Sequence, residues 1–423
     1  MTPEPSIIPT PKTSSPRRSL DFGTFLFVIV IFLIGFAVGH FEAERQTASS
    51  TEVLHPSNTI FTNKESKEKI DFALFWKVWD LLQQKYVGRG DLDANTLFYG
   101  AIKGMLEASG DPYTTFFSPE EQKAFEEDIS GIFEGIGAEM GLRDGVVTVV
   151  APLEGMPAEA AGIRAGDRIL KINGESTESL TLDQAVEKIR GPKGTEVTLS
   201  VYSEGDENTH EVTLKRSTIL VKSVRYENKG DGIALVRVSR FGDDTHREFA
   251  KAAESARADQ ARGIILDLRN NPGGLLDGAV DLSGYFLPTG TLVVQEEDAQ
   301  GSKTQLRTEG SAILENIPVV ILINQGSASA AEILAGAIRE NRENVRIVGE
   351  TSFGKGSVQE LIPVSKDTSV KITVARWLTP KGNQINQKGI DPDTKVELSR
   401  DDFLNKKDPQ YDKALEVLKE LLK

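Results

Sequence analysis

Between Val319 and Gln359 the hydrophobic period changes twice. Val319–Ile323 and Val345–Val348 are apolar runs rich in β-branched residues, the pattern of strands buried on both faces. Between them Ala331, Leu334, Ala335 and Ile338 recur at helical spacing, which predicts strand, helix, strand. The same alternation extends outward. Strands are predicted at Ile233–Val238, Gly263–Leu268 and Leu292–Val294, with helices over Thr245–Ala256 and Leu276–Phe286. Strands alternating with helices indicate an α/β layer structure.

Ahead of this region the texture differs. From Ile129 apolar residues alternate, glycines mark turns, and a single helix is predicted over Leu182–Ile189, with Leu182, Ala185, Val186 and Ile189 on one face. This is a small β-rich module. Before it, Ser66–Val87 places Phe72, Phe75, Val78, Trp79 and Leu82 on one helical face, read as a packing stripe. Leu97–Leu106 is a second amphipathic helix, ended by Ser109-Gly110-Asp111-Pro112. At the far end, Pro409–Lys423 forms an amphipathic helix through Leu415, Val417, Leu418 and Leu421.

The N-terminus has its own pattern. Residues 1–21 are rich in proline and serine and carry Lys12, Arg17 and Arg18, a disordered tail. Phe22–Gly39 is uncharged; at about 1.5 Å per residue it spans roughly 27 Å, enough for a bilayer core. Basic residues precede it and Glu42 and Glu44 follow, which puts the N-terminus in the cytoplasm. The run is long for a signal peptide, and Val38-Gly39-His40 lacks a small-x-small cleavage site, so an uncleaved single-pass anchor is expected. A polar tether, 40–65, follows.

Composition narrows the chemistry. The 423 residues suffice for two or three domains. A net charge of −14 argues against a nucleic-acid partner. The absence of cysteine excludes thiol catalysis, disulfides and thiolate metal sites. The four histidines, His40, His55, His210 and His246, are dispersed, so no zinc site is expected; His210 and His246 read as solvated loop residues rather than members of a Ser-His-Asp triad.

The two joints of the Val319–Gln359 segment carry candidate chemistry. Gln325-Gly326-Ser327-Ala328-Ser329 puts serines at a helix start, and Lys355 lies between Gly354 and Gly356, with Gln359 four residues on. A serine becomes a nucleophile when an adjacent base takes its proton, and lysine is that base only when burial or nearby positive charge keeps it neutral. A helix N-terminus offers unpaired N–H groups to an oxyanion. The same residues also suit a plain N-cap and a solvated glycine turn.

Ser327-Ala-Ser329-Ala-Ala331-Glu332 with Phe353-Gly-Lys355-Gly-Ser-Val-Gln359 resembles the carboxyl-terminal processing proteases, the tail-specific Ser-Lys peptidases of family S41. Leu266-Asp-Leu-Arg-Asn-Asn-Pro-Gly-Gly274, Thr379-Pro-Lys-Gly382 and Gly389-Ile-Asp-Pro-Asp393 are similar to the same family, and the likeness runs from about Phe75 to Asp393. It implies Ser329 as nucleophile, Lys355 as general base, Gln359 as the residue orienting the lysine, and N–H groups of Gly273 and Ala330 as the oxyanion hole. In two respects the chain departs from the family pattern: Ala331 stands where a third serine is common, and the Ser-to-Lys spacing is one residue longer, with the extra residue placed in the turn Glu340–Asn344.

Gly135-Ile136-Gly137-Ala138, with Ala161-Gly-Ile-Arg-Ala-Gly-Asp-Arg-Ile-Leu170 and Ile172-Asn-Gly174, resembles a PDZ domain. By that likeness Gly135, Ile136 and Gly137 hold a peptide's terminal carboxylate, and Leu182 and Val186 line the side-chain groove. Arg190 is expected to complement the helix C-terminus.

The expected fold is thus multidomain α/β. A transmembrane helix at 22–39 precedes an N-terminal helical region, 66–128, and a β-rich PDZ domain, 129–216, is inserted ahead of a crotonase/ClpP-like protease core, 217–395. A helical segment, 396–423, closes the chain. The expected activity is that of a serine endopeptidase in the bacterial cell membrane, facing the periplasmic side. It needs no metal or cofactor, takes protein or peptide substrates with free C-termini, and self-associates through its terminal regions as the resemblance implies. Two rivals remain: an idle PDZ adaptor of the cell envelope, and an acyl-CoA enzyme on the same core shape, which rests on fold analogy alone.

Overall fold

The computed structural model describes residues 60–62 and 69–423, apart from 144, 154, 204, 207, 400, 401, 403, 404 and 406. The expected anchor, 22–39, lies outside the described residues. Among those described, no helix is long and apolar enough to cross a membrane. The chain divides into two compact units, 1–94 and 95–423.

In the first unit, β1 (Ile60–Thr62) pairs antiparallel with β2 (Lys69–Asp71), so part of the expected tether is ordered as a ribbon. Helix α1 (Ala73–Lys85) follows. Within the described residues Phe72, Phe75 and Val78 of its stripe are exposed and Trp79 and Leu82 half-buried, less enclosed than the packing stripe expected from the sequence. The rings pack on one another instead, Phe75 edge-on to Trp76 with centroids 5.1 Å apart.

The second unit opens with α2 (Ala94–Glu107), β3 (Thr115–Phe117) and α3 (Pro119–Ser130). Ser118 and Glu121 close a capping box on α3. The module that follows comprises β4 (Ile132–Gly135), β5 (Ala138–Arg143), β6 (Val146–Pro152), α4 (Pro157–Ala160), β7 (Arg168–Ile172), β8 (Glu175–Ser176), α5 (Leu182–Ile189), β9 (Glu196–Tyr202) and β10 (His210–Lys215). Its main sheet runs β10-β9-β7-β6-β5 around a core that includes Val147, Ile169, Ala185 and Leu199. One helix was expected; Pro157 starts a second, single-turn one, because its fixed φ suits a first helical position.

The remaining chain builds the larger α/β layers. Strands β11 (Ser217–Leu220), β12 (Val224–Asn228) and β13 (Ile233–Val238) lead to α6 (Thr245–Ala258), β14 (Gly263–Asp267) and α7 (Leu276–Phe286). Next come β15 (Leu292–Asp298), β16 (Lys303–Arg307), β17 (Val319–Ile323), α8 (Ala330–Asn341) and β18 (Val345–Gly349). The chain ends with β19 (Ser357–Pro363), β20 (Ser369–Leu378), β21 (Thr394–Lys395) and α9 (Pro409–Leu421). The central sheet has the order β12-β13-β14-β17-β18-β21, parallel from β13 onward. Its two middle strands, β14 and β17, are buried throughout, hence their unbroken apolar runs. Helices α6, α7 and α8 cover one face, and α9 covers the other through Ala414, Val417 and Leu418.

Two expectations need correction here. Leu292–Val294 was placed among the strands of the α/β layer, but β15 belongs to a separate antiparallel sheet, β16-β15-β20-β19, with β3 also on β20. The cause lies in its pattern: beyond Val294 the strand continues as Gln-Glu-Glu-Asp, too polar for a strand buried on both faces. The turn expected at Glu340–Asn344 begins later, because α8 continues to Asn341.

Candidate active site

Strands β14, β17 and β18 are adjacent and parallel, so the loops at their C-terminal ends open at one edge of the sheet. Those loops carry Gly273, Ser329 and Lys355. Topology alone therefore brings together residues 82 positions apart at the extremes (355 − 273).

Of the two motif serines, Ser327 is fully buried and structural: its hydroxyl donates to Leu268 O at 2.8 Å and accepts from Asn324 N at 3.0 Å. Ser329 is the N-cap of α8 and sits at φ 54°, ψ −116°, a region unfavourable to a residue with a Cβ. Such a strained strand-to-helix elbow presents a hydroxyl to a cleft. Among the described residues no side chain is hydrogen-bonded to Ser329 Oγ, which faces the Glu332 N–H in a capping box.

Gly273 lies against the serine. A Cβ built on it would fall 2.8 Å from Ser329 Cβ and 3.0 Å from Ala330 N, and its φ is 96°. Only glycine permits both the approach and the conformation. Its loop is joined to the serine loop by Ala328 N–H donating to Asn271 O at 2.9 Å. Gly273 N–H itself donates to Asn271 Oδ1 at 2.9 Å. Ala330 N–H and Gly274 N–H have no partner among the described residues.

Lys355 is partly buried, with Nζ 5.0 Å from the centre of the Tyr113 ring, and no hydrogen bond joins it to Ser329. Burial pushes its pKa below the usual 10.5, and the charge of Lys371 pushes it further; Asp111 and Glu332 oppose this. Its carbonyl accepts from the indole of Trp377 at 2.8 Å, and Trp377 is buried. Gln359 lies beside a bulge in β19, and its amide donates to Ser357 Oγ at 2.8 Å and Thr373 Oγ1 at 3.3 Å, not to the lysine.

Three residues without a role in the sequence reading stand out. Glu332 is 1% exposed and accepts four hydrogen bonds: Ser329 N at 2.8 Å, Lys355 N at 3.0 Å, Gly354 N at 2.7 Å and Ser352 Oγ at 2.6 Å. It pins the Ser329 and Lys355 loops to one carboxylate. Burial raises its pKa against the pull of these donors. Its position three residues after an N-cap is the capping-box spacing, which was the available signal. Tyr113 and Asp111 reach the site because β3 pairs with β20 and Thr373 N donates to Thr114 Oγ1 at 3.1 Å. Asp111 is raised by burial but ends below its usual range through hydrogen bonds with Thr373 and Thr114.

His246 lies in the first turn of α6, not in a loop, and faces Asp281 at 3.3 Å; His210 opens β10 beside Asp206 at 3.7 Å. Neither bonds Ser329.

In the β-rich module, Gly135, Ile136, Gly137 and Val186 line one pocket of about 200 Å³; Leu182 does not line it. Ile136 N–H and Gly137 N–H have no partner among the described residues, while their carbonyls accept from Ala158 and Leu153. Arg190, the C-cap residue of α5 as its expected place at the helix end requires, also lines this pocket, lies over the Phe133 ring at 4.5 Å and meets Glu127 at 3.3 Å.

Comparison with known proteins follows this geometry. The family model for peptidase family S41 matches residues 232–396, that for a PDZ domain residues 148–203, and that for the activating protease CtpB N-terminal domain residues 32–121. Carboxy-terminal processing protease CtpA of Bacillus subtilis (strain 168) is 42% identical over 353 residues, spanning 83% of this chain and 75% of the relative. The chain belongs to the carboxy-terminal processing proteases of family S41. This peptidase is also 38% identical over 346 residues to a CtpA-like serine protease of Staphylococcus aureus (strain COL), spanning 81% of this chain and 67% of the relative. A solved structure described as an S41 protease from Bacteroides fragilis NCTC 9343 shares its fold, with a TM-score of 0.55 at 17% identity, covering 81% of this chain and 95% of that one.

Proposed function

We propose that the peptidase is a membrane-anchored serine endopeptidase that takes hold of protein C-terminal tails with its PDZ domain and cuts upstream through Ser329 and Lys355. The observation that carries this reading is the single buried carboxylate, Glu332, bonded to the main chain of both residues. A serine on a strained elbow and a lysine depressed by burial are then kept in register by one side chain.

In the proposed reaction Lys355, neutral and turned off the Tyr113 ring, takes the proton of Ser329 Oγ as that oxygen bonds to the substrate carbonyl carbon. Ala330 N–H and Gly273 N–H receive the oxyanion, Gly273 giving up its bond to Asn271; Gly274, whose N–H has no partner among the described residues, is the alternative donor. Lys355 passes the proton to the leaving amine, and water then opens the acyl-enzyme with the lysine again as base. Gln359 orients the lysine through Oε1, which accepts from the amine while Nε2 stays on Ser357 and Thr373. The free N–H groups of Ile136 and Gly137 receive the substrate's terminal carboxylate. Residues 22–39 anchor the chain with this unit outside the cytoplasm.

One observation favours the rival reading of an idle adaptor: Ser329 Oγ and Lys355 Nζ share no hydrogen bond. Cleavage of a tailed protein by the parental chain, set beside Ser329→Ala and Lys355→Ala, separates the two. The endopeptidase reading expects cleavage in the parent only, with tail binding kept in all three. Cleavage by either folded variant would overturn it.

A further inference from the structure

The first turn of α9 lies on the opposite face of the central sheet from α8, yet its polar residues reach the strand ends that carry the site. Gln410 is fully buried. Its Oε1 accepts from Arg269 Nη1 at 3.1 Å, and its Nε2 donates to Val396 O at 2.9 Å and to Glu350 Oε2 at 3.3 Å. Asp408, the N-cap, receives Arg269 on both oxygens, at 2.8 and 2.9 Å, and accepts from Tyr411 N at 2.9 Å.

The partners of Gln410 are not arbitrary. Arg269 heads the loop to Gly273 and is bound on its other side by the buried Asp267 at 2.9 Å. Glu350 heads the loop to Lys355. Its second oxygen accepts from Gln325 Nε2 at 3.5 Å, and Gln325 heads the loop to Ser329. One amide and its neighbours thus span the roots of all three loops.

The adhesion of α9 does not require this arrangement, since Ala414, Val417 and Leu418 already bury its apolar face. A fully buried amide with both ends engaged is costly to place and demands partners at fixed directions. We infer that Asp408 and Gln410 are positioning residues for catalysis, setting the relative spacing of the Gly273, Ser329 and Lys355 loops from behind the sheet. The inference rests on the Ser-Lys reading. Neither residue touches a reacting atom; both act through Arg269 and Glu350.

The test uses the full chain and two substitutions. Gln410→Met keeps the volume and removes the hydrogen bonds; Asp408→Asn keeps the cap and weakens the hold on Arg269. Turnover of a tailed peptide, the rate of Ser329 acylation by a fluorophosphonate, and thermal unfolding are measured on each. The expected result is a fall of about tenfold or more in kcat and in acylation rate per folded molecule, with KM close to parental and a lowered unfolding midpoint that still leaves the chain folded at the assay temperature, because small misplacements at a catalytic centre cost rate steeply. Parental rates in both variants, or losses that only track the fraction unfolded, would overturn it. Acylation of the parent is measured first: a parent that is never labelled at Ser329 removes the Ser-Lys reading itself, which is a different failure.

Discussion

Lys355 Nζ lies over the ring of Tyr113, 5.0 Å from its centre. A ring face favours the charged amine, whereas burial and Lys371 favour the neutral one. The amine is therefore pulled both ways, and its neighbours should tune the balance. A base works when unprotonated, so kcat/KM should climb with pH through the lysine's pKa, which lies below 10.5. Lys371→Met removes a like charge, raises that pKa and moves the rise to higher pH. Asp111→Asn removes an opposite charge, lowers it and moves the rise to lower pH. Glu332, the third charged group acting on the lysine, is left intact in both. A pH–rate profile of each variant checks the two directions; a shift of both in the same direction would contradict the assignment of Lys355 as the base.

Glu332→Gln tests the shared carboxylate. Each carboxylate oxygen accepts from at least one backbone N–H, so whichever way the amide turns, its NH2 faces an N–H that cannot accept; of the four partners only the Ser352 hydroxyl could reverse its role. A buried donor left unpaired costs about 1–3 kcal/mol. The variant should unfold at lower temperature and lose turnover in its folded fraction. Parental activity per folded molecule would show that the loops do not depend on this side chain.

Gly273→Ala places a methyl group 2.8 Å from Ser329 Cβ at a φ of 96°. Either the serine or the glycine loop must move, and a displacement near 1 Å at a reacting centre costs roughly a hundredfold in rate. Turnover should fall by about that factor while binding of a tail peptide is retained, as measured by calorimetry.

Amidation of the tail's C-terminus tests the module. Replacing a carboxylate by a neutral amide in front of Ile136 N–H and Gly137 N–H removes charge-assisted hydrogen bonds worth roughly 1.5–3 kcal/mol, so the Kd should rise about tenfold or more. Equal affinities for acid and amide would remove the carboxylate-capture role.

Much of this was legible from the chain. β13, β17, α5 and α7 fall on the predicted residues because each has one dominant period and a clear stop. The order strand, helix, strand around Ser329 and Lys355 was readable for the same reason. What the pattern did not carry is long-range. Tyr113 reaches Lys355 only through the pairing of β3 with β20, some 250 residues apart, and nothing in Asp111-Pro112-Tyr113 distinguishes it locally from a helix stop. Gln410 looks like an ordinary polar residue in a helix's first turn; its burial follows from how α9 docks. The half-exposed stripe of α1 shows the converse, since periodicity identifies a helical face but not what lies against it.

The central claim is that a neutral Lys355 takes the proton of Ser329, and the rate of Ser329 acylation by a fluorophosphonate, followed against pH in the parent and in Lys355→Ala, tests it most directly. The account predicts labelling confined to Ser329, rising with pH to a plateau in the parent and slowed by about a hundredfold or more in the variant. Labelling of the variant at the parental rate, with the same dependence on pH, would contradict it.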